Sequence, residues 1–144
     1  MRVVLQRVAR AAVSVEGERV ATIDRGLLLL VGIAPGDDAA RVDAAAAKIA
    51  GLRVFEDAEG RMNLDLAQAG GAVLVVSQFT LLASTEKGRR PSFEGAAPPA
   101  HAAPLVERLV LRLQEAGLAV ATGRFGAHMR IELVNDGPVT LVLD

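Results

Sequence analysis

The sequence LLLLVGI, from Leu27 to Ile33, is a continuous apolar run that ends at Pro35-Gly36. A short apolar run bounded by turn residues predicts a buried central strand. The sequence AVLVVSQF, from Ala72 to Phe79, predicts a second buried strand. These two segments are expected to form the centre of a sheet, and the rest of the chain is interpreted around them.

Two amphipathic helices are predicted beside these strands. Asp37 or Asp38 is suited to cap a helix that runs to about Leu52, and Pro104 suits the first turn of a helix that Gly117 ends. Their apolar residues recur at helical spacing: Val42, Ala45, Ala46, Ile49 and Leu52 in the first, and Leu105, Val106, Leu109, Val110 and Leu113 in the second.

The remaining segments predict strands. Val3–Val15, with a break near Ala9–Ala11, and Arg19–Ile23 are expected to pair as a hairpin around Glu16-Gly17-Glu18. Three more are expected near the C-terminus: Leu118–Thr122, Met129–Val134 and Val139–Leu143. The prediction is one α+β domain over residues 1–144, with a largely antiparallel sheet and two covering helices.

Composition limits the function classes. The 144 residues are 51% hydrophobic with a formal net charge of −1, so bulk charge does not indicate a nucleic-acid binder. Cysteine is absent, which excludes a disulfide framework, a thiolate zinc site and a Cys nucleophile. No apolar run is long enough to cross a membrane and the N-terminus does not resemble a signal peptide, so a soluble cytoplasmic protein is expected.

Common catalytic motifs are missing. GxSxG, HExxH, the phosphate-binding loop and GxGxxG do not occur, and we expect no metal and no cofactor. His101 is expected in a solvated loop, and His128 is a lone histidine that is more often structural than a general base. Any enzymatic chemistry must therefore be mild or assisted by the substrate.

Four segments are not explained by structure alone. They are SQFT (Ser77–Thr80), KGRRPSF (Lys87–Phe93), GRFGAHM (Gly123–Met129) and NDGPV (Asn135–Val139). Each also has an ordinary interpretation: a polar strand end, a charged loop, a bulged connection and a turn between edge strands. Three of the four phenylalanines, Phe79, Phe93 and Phe125, lie in them, which is a mild indication of ligand contact.

Five short motifs together resemble one known family, the D-aminoacyl-tRNA deacylases, in their order and spacing. They are QRV near the start, SQFTL, KGRRPSF, TGRFGAHM and NDGPVTL, and the resemblance covers essentially the whole chain. His128 is the one departure, at a position not implied to be catalytic. The resemblance implies a barrel-like, homodimeric carboxylic ester hydrolase. Its substrates are the acceptor ends of D-aminoacyl-tRNAs and tRNA-Ala mischarged with glycine. No membrane or further protein partner is implied.

The resemblance also implies the mechanism and the site residues. The catalytic segment is Ser77, Gln78, Phe79 and Thr80. Backbone N–H groups near Phe79 and Thr80 would stabilise the oxyanion while the ribose 2′-hydroxyl assists. Thr80 as a covalent nucleophile is a rival hypothesis, ranked lower because no base is evident. Phe79 is implied to neighbour the terminal adenine, Met129 to line the pocket, and Lys87, Arg89, Arg90 and Phe93 to bind tRNA.

Chirality is implied to be sensed by Gly137-Pro138. In the family a Gly-cisPro element enters the active site of the opposite subunit, where rigid backbone rejects L-residues by steric clash, and the matching Arg7 braces it. Two alternatives remain open. One is a non-catalytic RNA-binding module of the same fold, and the other is a dimeric small-ligand sensor in which Gly137-Pro138 is only a turn.

Overall fold

A computed structural model describes residues 1–144 and contains one domain with a six-stranded sheet. The strands are β1 (Arg2–Val15), β2 (Glu18–Ile23), β3 (Gly26–Gly32), β6 (Ala72–Ser77), β7 (Ala119–Thr122) and β8 (Arg130–Leu143), and a separate small hairpin is formed by β4 (Phe55–Glu56) and β5 (Met62–Leu64). The helices are α1 (Ala39–Gly51), α2 (Leu66–Ala69) and α3 (Pro99–Glu115). No helix has the length and apolar character needed to span a membrane.

The long strand β1 organises the sheet. Along one side it pairs with β8 over nearly its whole length, and along the other it pairs with β3 through its first half and β2 through its second. Beyond β3 follow β6 and β7. The sheet curls until β2 lies close to β6 and β7, which gives a nearly closed barrel.

The apolar strands β3 and β6 are buried on both faces, and their side chains alternate between two cores. Leu27 and Leu29 of β3 pack with α1 and α3 outside the barrel, whereas Leu28 packs with Leu74 and Val76 inside it. Side chains that point alternately to opposite faces explain why the run is continuously apolar rather than alternating. Burial of each leucine contributes about 1.5–3 kcal/mol relative to exposure.

The predicted antiparallel character was wrong for part of the sheet, which is mixed. Pairs β3–β6 and β6–β7 are parallel, while β1 pairs antiparallel with β2, β3 and β8. The parallel pairs arise because α1 and α3 carry the chain back to the same end of the sheet before the next strand begins. The prediction of two helices was also incomplete, since a third, α2, is held by a capping box between Asp65 and Gln68.

Two predicted boundaries change. The helix expected to begin at Pro104 begins at Pro99, so Pro104 lies inside α3. His101 therefore lies in the first turn of α3 rather than in a loop, and its Nε2 is 2.8 Å from the Asp37 carbonyl oxygen. The predicted hairpin around Glu16-Gly17 is present, with positive φ at both residues.

The NDGPV segment is not a turn between two strands. Residues on both sides of it belong to β8 and pair with β1 in the same direction. On β8 the paired residues Asn135 and Thr140 stand opposite Val8 and Gln6 of β1, so the residues between Asn135 and Thr140 bulge out of the ladder. A bulge of this kind places backbone outside the sheet without ending the strand.

Candidate active site

A cleft of about 520 Å³ opens where β6 ends. Gln78 follows the strand and donates its N–H to the Val31 carbonyl of β3 at 2.8 Å, and residues Phe79–Leu82 then form a single 3₁₀ turn. Gly32 of β3 allows this close packing, because a Cβ there would lie 3.1 Å from the Gln78 carbonyl oxygen. The strand end is thereby fixed against the centre of the sheet.

The predicted catalytic segment lines this cleft. Ser77, Gln78, Phe79 and Thr80 form one wall, and the Gln78 side-chain amide donates to the Thr80 hydroxyl at 3.2 Å. The first N–H groups of a helical turn have no acceptor within that turn. By position, the N–H groups of Phe79 and Thr80 therefore remain available at the cleft.

The three phenylalanines of the unexplained segments meet at the same cleft. Phe79, Phe93 and Phe125 all line it, and each is more than two-fifths exposed. The rings of Phe79 and Phe93 form an edge-to-face pair with centroids 5.1 Å apart. Exposed aromatic faces around a concave site are suited to contact a planar ligand.

Met129 and an apolar segment complete the walls. Met129 lines the cleft above Gly123, where a Cβ would lie only 2.8 Å from the Met129 sulfur. The segment Ala96–Pro99 was not among the predicted site residues. It is held by the Ala97 N–H, which donates to the Ile33 carbonyl at 2.8 Å. Its small apolar residues carried no sequence signal of function.

Of the basic loop Lys87–Phe93, only Phe93 lines the cleft. Ser84 and Ser92 exchange backbone hydrogen bonds of 2.8 and 2.9 Å, which close the base of the loop and orient Phe93. Lys87, Arg89 and Arg90 are exposed and form no ion pair within the chain. Their charges are therefore free to meet a polyanion.

Gly137 and Pro138 do not line the cleft of their own chain. They lie exposed in the β8 bulge, and the peptide bond between them is cis. The Asn135 side chain closes the bulge, donating to the Val139 carbonyl at 3.1 Å and accepting from the Val139 N–H at 2.9 Å. Gly137 has φ of +149°, and a Cβ there would lie 2.6 Å from the Val139 nitrogen. Only glycine fits this position.

Arg7 connects the bulge to the body of the domain. Its side chain is buried, and it donates from Nε to the Asp136 carbonyl at 2.9 Å and from Nη1 to the Val54 carbonyl at 2.7 Å. The carboxylates of Asp136 and Glu56 lie 3.9 and 4.0 Å from its guanidinium. A planar fork with fixed donors can hold two carbonyls from distant segments at once. Neither Asn135 nor Val54 was predicted as a partner.

No titratable side chain lines the cleft, and His128 is exposed. Ionisable groups with shifted pKa lie elsewhere. The hydrogen bond from Arg108, assisted by Arg112, lowers the pKa of Asp43 from 3.8 to about 2, and this cluster joins α1 to α3. It stabilises the helix layer rather than the cleft.

Comparison with known proteins agrees with the resemblance noted in the sequence. A family profile described as D-Tyr-tRNA(Tyr) deacylase matches residues 4–144. The chain is 56% identical over 144 residues to a D-aminoacyl-tRNA deacylase of Symbiobacterium thermophilum, covering 100% of this chain and 95% of that protein. It is also 56% identical over 144 residues to one of Azotobacter vinelandii, with coverage of 100% and 99%.

Two solved structures share the fold. One, titled "c-Myc DNA Unwinding Element Binding Protein", has a TM-score of 0.93 and 37% identity, covering 100% of this chain and 98% of that one. The other is a probable eukaryotic D-amino acid tRNA deacylase, with a TM-score of 0.84, 18% identity and coverage of 99% and 97%. The second supports the fold alone. The family assignment made from the motifs is confirmed: the chain belongs to the D-Tyr-tRNA(Tyr) deacylase family.

Proposed function

We propose that this protein hydrolyses the ester bond between a D-amino acid and the terminal ribose of tRNA, releasing both. The observation that carries the proposal is the cleft at the end of β6, which in a chain of this family joins Ser77–Thr80 to three exposed aromatic rings. Phe79 is suited to contact the terminal adenine. Aminoacyl-tRNA is used in the cytoplasm, so the proposed function leads us to expect the protein there.

The chemistry relies on positioning. An aminoacyl ester is already activated, and the cleft offers no side-chain general base. In the proposed mechanism the N–H groups of Phe79 and Thr80 stabilise the oxyanion, and the neighbouring ribose 2′-hydroxyl assists the attack. The Thr80 hydroxyl accepts a hydrogen bond from the Gln78 side-chain amide, and an amide nitrogen cannot act as a base that takes the hydroxyl proton. That partner argues against a covalent Thr80 intermediate.

Chiral selection is assigned to Gly137-Pro138 supplied by a second copy of the chain. An L-residue carries its side chain on the side of Cα where this backbone would lie, so it is rejected by steric clash. The bulge suits this role because Asn135 and Arg7 restrain it while its tip is exposed. Glycine and D-residues of every size are expected to pass, including glycine mischarged on tRNA-Ala.

The edge of β8 supports homodimer formation. This strand pairs only with β1, so its other edge is open, and it exposes Leu133, Val134, Leu141 and Val142. An open edge flanked by exposed apolar side chains favours association. Lys87, Arg89 and Arg90 would contact the phosphates near the acceptor end, a small number of contacts that is compatible with the low net charge.

Incubation with matched D-Tyr-tRNA and L-Tyr-tRNA tests the activity and its chirality. We expect hydrolysis of the D-ester alone. Equal rates would contradict chiral selection, and tight tRNA binding without cleavage of either ester would favour the RNA-binding module. Thr80→Ala is expected to keep near-normal turnover. Abolished turnover in a folded Thr80→Ala protein would instead support a covalent role.

A further inference from the structure

A second recess of about 330 Å³ adjoins the cleft. It lies between the ends of β6 and β7 and the side of α3, and it shares Ser77 and Phe125 with the cleft. Ser77 is the only residue of the predicted catalytic segment that lines it. Because Ser77 and Phe125 belong to both linings, the two spaces are adjacent, and the next unit of a ligand held in the cleft lies within reach of the recess.

The floor of the recess is apolar and its rim is polar. Val75, Val106 and Val110 form the floor, and Phe125 presents its exposed ring from one side. A volume of about 330 Å³ is at the small end for a ligand pocket. A single flat ring attached to a sugar suits these dimensions and this lining better than an extended side chain.

Charged and hydroxyl groups surround this floor. Arg124 and Glu107 both line the recess, both are exposed, and neither takes part in an ion pair. The hydroxyls of Ser77 and Thr122 complete the polar groups. An unpaired guanidinium is suited to a phosphodiester, and a free carboxylate accepts from the exocyclic amine of a base.

We infer that this recess seats the nucleotide that precedes the terminal adenosine of the acceptor strand. Arg124 contacts the phosphate between the two nucleotides, Phe125 contacts the base, and Glu107 accepts from the amine of cytosine. The inference rests on the proposed function and extends it by one nucleotide. If it is correct, Arg124 makes the enzyme favour an aminoacyl-tRNA over the smaller aminoacyl ester of adenosine alone.

Two model substrates test the assignment: the D-Tyr ester of adenosine and the D-Tyr ester of the dinucleotide cytidylyl-adenosine. For the wild-type protein, kcat/KM for the dinucleotide ester is expected to exceed that for the adenosine ester by about tenfold or more. Arg124→Ala removes most of this gain. Ala103 of α3 also lines the recess, so Ala103→Leu, which fills it, removes the gain as well. Arg61→Ala is the matched control, since it deletes an exposed arginine on the β4–β5 turn and leaves the gain unchanged.

Three results would overturn the inference. The wild-type protein could cleave both esters at one rate, or Arg124→Ala could slow both esters equally. Ala103→Leu could also slow D-Tyr-adenosine but not glycyl-adenosine, which would assign the recess to the amino-acid side chain. Calorimetry with unesterified cytidylyl-adenosine and adenosine gives a readout independent of hydrolysis. Loss of affinity for the dinucleotide alone in Arg124→Ala supports the inference even if no ester is cleaved, a result that would contradict only the proposed function.

Discussion

Replacing Arg7 by methionine is expected to weaken both stability and chiral selection. Methionine keeps much of the side-chain length but removes the bonds to the Asp136 and Val54 carbonyls. A hydrogen bond to a charged group contributes about 1.5–3 kcal/mol. The bond to the Asp136 carbonyl is only part-buried, so water can replace some of it, whereas the bond to the Val54 carbonyl is buried. We therefore expect a loss of about 3 kcal/mol in the free energy of unfolding.

The same change frees the bulge that carries Gly137. If the bond to Asp136 is what holds this backbone against an incoming L-residue, its loss should lower the ratio of D- to L-Tyr-tRNA hydrolysis by about tenfold or more. Urea unfolding and thermal unfolding measure the loss in the free energy of unfolding, and the Tm should fall by about 6–12 °C. Single-turnover hydrolysis of the two esters measures the selectivity.

Arg108→Met is the matched control for Arg7→Met. Arg108 also forms two hydrogen bonds, of 2.7 and 2.8 Å, but to Asp43 between the helices and away from the bulge. It should lower stability and leave the D/L ratio unchanged. An unchanged D/L ratio in folded Arg7→Met would refute the bracing role, whatever its Tm.

Two further predictions follow from other contacts. The pKa of Asp43 is lower in the folded chain than its ordinary 3.8. Its ion pairs therefore contribute fully to stability above about pH 4, and this contribution disappears as the pH falls through about 2. The difference in unfolding free energy between wild type and Asp43→Asn, measured with urea, should stay constant near neutral pH and shrink between about pH 4 and pH 2; a constant difference at all pH values would contradict this. Gly123→Ala places a Cβ 2.8 Å from the Met129 sulfur, so Met129 should move into the cleft and raise KM for D-Tyr-tRNA by about tenfold. Gly36→Ala, whose Cβ meets nothing within 4 Å, should leave KM unchanged, and equal behaviour of the two variants would argue against this packing.

The local sequence pattern was sufficient to predict those elements whose apolar spacing matches the faces that they bury. The apolar run Leu27–Ile33 and the helical spacing of apolar residues in α1 predicted buried elements, because burial of a face requires apolar residues at the positions that form it. The motif at Ser77–Thr80 was located correctly at a strand end because polar residues follow an apolar run there. The direction of pairing was not predictable in this way, since it depends on where α1 and α3 return the chain.

Long-range partners account for the rest. Asn135-Asp136-Gly137 has the local chemistry of a hairpin turn, yet β1 is long enough to pair with both flanks, so the segment becomes a bulge. Arg7 is a charged residue within a strand, and its burial depends on carbonyls at Val54 and Asp136 that are distant in sequence. The apolar wall at Ala96–Pro99 consists of small residues whose role depends only on their position beside Ile33.

The most direct test of selection in trans is a mixed dimer. One partner carries Gly137→Ala, which as a homodimer should hydrolyse L-Tyr-tRNA because its backbone element is displaced. The other carries Ala127→Trp, which blocks its own cleft but keeps an intact Gly137-Pro138 element. With the blocked copy in excess, the open cleft of the first partner should recover rejection of L-Tyr-tRNA while it still hydrolyses D-Tyr-tRNA. Continued hydrolysis of the L-ester by the mixed dimer would show that each cleft depends on its own chain, and would contradict the account.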